Sequence, residues 1–147
     1  MKTRALVMAG VMALTAMATT RVAQAQEVMV VNIPFDFSAG NKTLPAGEYS
    51  VRVQYNDTRM LLLERKDSSV AMFIGTNNVV ANAPQSESKL IFNRYGDRYF
   101  LSQVWNEGDP RGWQLMKTAR EKEIAQTAKI ETEGQVTLVA ELARTHR

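Results

Sequence analysis

Trp105 and Trp113 bracket a turn-rich loop, Asn106 to Gly112, and Tyr95, Tyr99 and Phe100 lie just before it. On an exposed sheet face such rings can stack on a sugar or grip an apolar ligand; inside a sheet they are core. Trp105, Trp113 and Tyr95 are therefore the candidate ligand-binding residues, weighed against a core role for the same rings. Carboxylates are the other groups with chemistry to offer. Glu64, Asp67, Glu107 and Asp109 could supply two acids facing each other across a cleft, as glycoside hydrolysis requires, but acidic side chains in polar turns are ordinarily solvated. Asn106, Glu107 and Asp109 offer the oxygen ligands calcium takes, without the spacing of a full calcium loop. Arg94 and Tyr99, if opposite each other, make a cation–π pair.

Several chemistries are missing. His146 is the only histidine, close to the end of the sequence, and there is no cysteine. A triad needs a base held in place, and zinc sites are built from histidine and thiolate ligands. Disulfides are ruled out, so the fold must rest on packing. No glycine-rich phosphate loop or dinucleotide fingerprint is present. No cofactor or metal is expected.

The elements that would position these residues begin with an address. Lys2 and Arg4 precede an uncharged run from Ala5 to Ala18, and Ala23-Gln24-Ala25 follows. This is the layout of a secretory signal peptide, and the run is shorter than the roughly 20 apolar residues that span a bilayer. The reading is a signal peptide at 1–25 and a single exported β domain at 26–147, with no stable membrane anchor. Lys2, Arg4 and Arg21 are three of the 18 basic residues, whereas all 15 acidic residues follow position 25. The remaining chain is charge-balanced and carries no basic block, which argues against nucleic acid as a partner. Asn41-Lys42-Thr43 and Asn56-Asp57-Thr58 match the glycosylation pattern but read first as turns.

Apolar alternation predicts strands. Met29 to Phe37 alternates with a break or edge at Pro34, which lacks an amide donor. Tyr49, Val51, Val53 and Tyr55 form one face of a second strand, and Leu44-Pro45-Ala46-Gly47-Glu48 between the two reads as a hairpin turn with a three-residue loop and a bulge. Met60 to Glu64 and Val70 to Thr76 read as a pair, with a long polar loop from Asn77 to Ser88 after it. Lys89 to Val104 is the clearest hairpin, turning at Gly96-Asp97. It sets Tyr95 opposite Arg98, Arg94 opposite Tyr99, Phe92 opposite Leu101 and Leu90 opposite Gln103. One face would carry Leu90, Phe92, Tyr99, Leu101 and Trp105; the other, with Ile91, Tyr95, Phe100 and Val104, is too apolar to be left bare. Thr118 and Glu121 fit a capping box opening a helix to about Ala128, a lid for that second face. Val136, Leu138, Ala140 and Leu142 mark a last strand. The predicted fold is mainly β: a small antiparallel β-sandwich or partly closed barrel of about seven strands with one short C-terminal helix.

The segments Pro34-Phe35-Asp36-Phe37 and Gly40-Asn41-Lys42-Thr43-Leu44-Pro45-Ala46-Gly47-Glu48-Tyr49, with Ser86-Glu87-Ser88-Lys89-Leu90 and Arg94-Tyr95-Gly96-Asp97-Arg98-Tyr99-Phe100-Leu101, resemble a group of small exported bacterial β-domain proteins of unknown function. The resemblance implies an exported, mainly β domain and carries over no catalytic or binding residue.

The functional expectation is a non-catalytic exported domain, ligand-binding or structural in the bacterial envelope, periplasmic or extracellular after cleavage near Ala25. Its candidate partners are a polysaccharide, a small apolar ligand or an envelope protein. The alternative is a carboxylate-dependent glycan hydrolase. A lipocalin-like carrier would need a closed barrel with an open apolar lumen.

Overall fold

Alternation drives this chain into strands whose apolar faces close on one another. The structure, a computed structural model, describes residues 27–54, 57–128 and 133–144; the expected leader, Tyr55 and His146 lie outside the described residues. The strands are β1 (Glu27–Ile33), β2 (Phe37–Ala39), β3 (Lys42–Leu44), β4 (Gly47–Gln54), β5 (Asp57–Arg65), β6 (Ala71–Val80), β7 (Ser88–Tyr95), β8 (Arg98–Trp105), β9 (Arg111–Leu115) and β10 (Glu133–Arg144), with helix α1 (Ala119–Thr127) before the last.

Neighbouring strands run β8–β7–β10–β1–β4–β5–β6–β9, and β9 pairs again with β8, which closes an eight-stranded antiparallel barrel. Two long strands make the closure possible by changing partners midway. β6 pairs with β5 through Ala71–Gly75 and with β9 through Thr76–Val80. β10 pairs with β7 through Glu133–Ala140 and with β1 through Glu141–Arg144. Each belongs to both walls, so two packed sheets become one continuous surface.

The barrel interior holds the inward set of each strand. Met29, Ile33, Tyr49, Val51, Leu61, Leu63, Leu90, Phe92 and Val104 are all below 2 % exposed or at that limit. Eight strands leave an interior that side chains can fill, and these residues occupy the lumen that a carrier would need open. β2 and β3 form a small hairpin outside the eight, tied to β8 by one parallel pair, Ser38 with Phe100. Phe37 from this hairpin packs edge-on against Tyr49 of β4 and Phe92 of β7, with centroids 5.2 and 5.5 Å apart. It plugs one end of the barrel. At the other end, the loops 81–87 and 106–110 bond to each other through Ala81 N to Pro110 O and Gly108 N to Gln85 O.

Four expectations need correction. Among the described residues the strands number ten, against the seven or so expected: Pro34 separates β1 from β2, β3 is distinct, and β9 takes up Arg111 to Leu115. Leu44 to Gly47 is not a hairpin loop, because β3 pairs with β2 while β4 pairs with β1 and β5. It is a corner, pinned where Asp36 Oδ1 accepts from Ala46 N (2.9 Å) and Tyr49 Oη donates to Pro45 O (2.6 Å). Asn77 and Asn78 are strand rather than loop, since β9 gives their backbone a partner. Finally, the β7–β8 register shifts between Ile91 and Phe92: Leu90 faces Val104, not Gln103. Ser102 is the extra residue of this bulge. It sends Val104 inward and Trp105 outward, the reverse of the expected faces.

Candidate functional site

β9 and β10 are separated by β8 and β7 in the barrel, so the chain between them must cross the outside of the β7–β8 hairpin. α1 makes that crossing. Thr118 caps it, its Oγ1 accepting from Glu121 N (3.1 Å). The expected reciprocal half of the capping box is not formed. Glu121 instead turns its carboxylate onto the hairpin, where Oε1 accepts from Tyr95 Oη (3.1 Å) and Asn93 Nδ2 (3.0 Å). Glu121 is 4 % exposed, and the pair of donors offsets its desolvation. Tyr95 meets Phe100 edge-on at 5.8 Å. The lid expected over Tyr95 and Phe100 is therefore present, anchored by a polar contact that the helix's thin apolar stripe did not suggest.

Beside the helix, the outer face of four strands carries a row of amides. Gln114 on β9 is the register partner of Gln103 on β8, and Asn93 on β7 is the partner of Gln135 on β10. Gln103 faces Ile91, two residues before Asn93, so the two amide pairs lie diagonally across the β7–β8 seam, one step apart along β7. With Ser102 and Lys117 it lines a groove of about 550 Å³. Each amide carries both donors and an acceptor. Two are held in place: Asn93 Oδ1 accepts from Gln135 Nε2 (3.4 Å), and Gln103 Oε1 accepts from the Trp105 indole N–H (3.0 Å). The second bond leaves the Gln103 amino group for the groove. Lys117 is the only charged residue among those lining it.

The sequence-derived candidates fall in three different places. Trp113 points into the barrel opposite Val104 and is 9 % exposed. Trp105 lies outside, 7 % exposed, its ring laid across Gly112. Tyr95 lies under α1, 3 % exposed. The fold separates the two tryptophans by a sheet and brings Trp105 alone to the amide row. The amides themselves carry no sequence signature, because their alignment depends on which strands become neighbours. Arg94 and Tyr99 are paired as expected, the guanidinium 5.8 Å from the ring centroid, with Phe35 stacked on the tyrosine at 3.8 Å.

The acidic candidates sit apart from this groove. Glu64 pairs with Arg52 (3.5 Å), Asp67 with Arg65 (2.9 Å) and Asp109 with Arg111 (3.2 Å). The hydrogen bond from Arg111 holds the Asp109 carboxyl below the usual range, and those from Ser69 do the same for Asp67. Asn106 Oδ1 is buried without a partner among the described residues. No group of three or more His, Cys, Asp or Glu side chains is gathered for a metal ion among the described residues.

No protein-family model, curated protein or solved structure matches this chain.

Proposed function

We propose that this chain is a non-catalytic domain exported to the bacterial envelope, where it holds a polysaccharide on the outer face of its barrel. The observation that carries the reading is the row of four amides, one from each of four adjacent strands. Neutral sugars offer hydroxyls that both donate and accept, and an amide answers either role from one side chain. The groove volume, about 550 Å³, falls within the range of roughly 300–1,000 Å³ found for ligand sites. Rigid strands hold the row at fixed spacing, as recognition of a repeating ligand demands. The leader pattern in residues 1–25 supports export and a periplasmic or extracellular setting.

Trp105 provides the test, because its indole N–H rests on Gln103. Tryptophan fluorescence of a Trp113→Phe variant is titrated with neutral cell-wall glycans, soluble polysaccharides and fatty acids. A saturable change with a glycan, abolished by Gln103→Ala combined with Gln114→Ala while circular dichroism is unchanged, supports the reading. No response to any glycan, or a response to fatty acids alone, overturns it.

A further inference from the structure

A second cleft of about 260 Å³, sharing no lining residue with the amide groove, opens between the β2–β3 hairpin, the start of β8 and the helix. Its polar groups are of a different kind. Arg98 from β8 and Arg120 from α1 face it, with Asp36, Asp97 and the hydroxyls of Ser38 and Thr43. Among the described residues neither guanidinium of the cleft stands in an ion pair with a carboxylate. Arg120 has one long hydrogen bond, 3.5 Å to Thr43 Oγ1. Asp36 is engaged on one oxygen by Ala46 N. Phe37 and Phe100, both buried, form the apolar wall.

Two guanidiniums that line one cleft from different elements, neither in an ion pair, offer forks of N–H donors that match a carboxylate in two-point fashion. The aspartates beside them select against a bare anion and in favour of a ligand that also brings hydroxyl donors. A sugar acid has both. The small volume, below the roughly 300 Å³ at which drug-sized ligand sites begin, suits a single ring. We propose that this cleft binds a sugar acid, its carboxylate held by Arg98 and Arg120 and its ring hydroxyls donating to Asp36 and Asp97. The site does not depend on the amide row.

The test is isothermal titration of the full chain with trigalacturonate, its methyl ester and inorganic phosphate. Trigalacturonate is expected to bind, with affinity reduced at least ~10-fold by Arg98→Gln or Arg120→Gln, since each removes charge-assisted hydrogen bonds. Arg120→Lys keeps the charge but not the fork and falls between. Both arginines are exposed, and circular dichroism checks that the variants fold. Gln114→Ala leaves trigalacturonate binding unchanged, so failure of the amide row and failure of this cleft are read separately. Equal binding of the methyl ester, displacement of trigalacturonate by phosphate at similar concentration, or no binding of trigalacturonate overturns the proposal.

Discussion

The Tyr95 hydroxyl donates to the Glu121 carboxylate across 3.1 Å, and the acceptor is 4 % exposed. One oxygen of a helix side chain thereby fixes the helix to the hairpin it crosses, since the same Oε1 also takes Asn93 Nδ2. Both grooves are bordered by what this contact holds. Removing the carboxylate with Glu121→Ala takes this acceptor from both donors under the helix and costs about 2–3 kcal/mol. Urea denaturation measures the loss. Tyr95→Phe costs less in the Glu121→Ala background than in the native one, because its bond to Glu121 is already lost there.

Gly112 is required by Trp105. A Cβ at position 112 would come 2.6 Å from two atoms of the indole, and the ring has the sheet on one side and Gln103 holding its N–H. Gly112→Ala destabilises by about 1–3 kcal/mol, as overpacking does, and shifts the tryptophan emission to longer wavelength as the indole is displaced. Gly134→Ala, with nothing within 4 Å of the added Cβ, stays within about 0.5 kcal/mol of the parent.

Burial raises the Tyr49 hydroxyl above its ordinary range, against an opposing pull from Arg65. A folded-state pKa above the unfolded one gives stability that is complete below the unfolded value and is lost as pH climbs through the folded value. Urea melts at rising pH therefore show the Tyr49 contribution falling only above about pH 10. Tyr49→Phe flattens that alkaline decline, and near neutrality it costs about 1 kcal/mol for the lost bond to Pro45 O.

Asp109 has the opposite sign. Its carboxyl is held low first by the hydrogen bond from Arg111, so its contribution is present above the ordinary aspartate value and is lost as pH falls through the depressed one. The paired loops at this end of the barrel then loosen in acid. Protection factors for the Ala81 and Gly108 amides, which bond to Pro110 O and Gln85 O, fall on acidification below about pH 4. Asp109→Asn removes most of that pH dependence.

The β7–β8 hairpin was legible because Gly96-Asp97 fixes the turn, and the pairs Tyr95–Arg98, Arg94–Tyr99 and Phe92–Leu101 are those found. Beyond Leu101 the alternation could not reveal the bulge. Val104 and Trp105 are both apolar, so either register gives a credible inward residue, and the extra Ser102 decides between them. Gly112 and Pro110 give β9 the local pattern of a loop, and its strand character comes from two partners, β6 and β8. Local pattern gives Glu121 a role at the helix end alone; its place under the crossing connection makes it the acceptor for Tyr95 and Asn93. The amide row needed strand order, which local pattern does not contain. Tyr49, Val51 and the β10 alternation were readable because each strand has one wet face.

β10 joins β7 to β1, strands from distant parts of the sequence, and the barrel is closed only when it is in place. Without β10 the strand order would be an open ribbon with β1 at one rim and β7 at the other, both with unmatched backbone groups able to recruit a strand from another molecule. The contact that ends this exposure is among the longest-range in the chain, and such contacts form slowly. Self-association is therefore governed by how quickly the seam is sealed, and a substitution that weakens β10 shows itself as aggregation during refolding before it shows as lost stability.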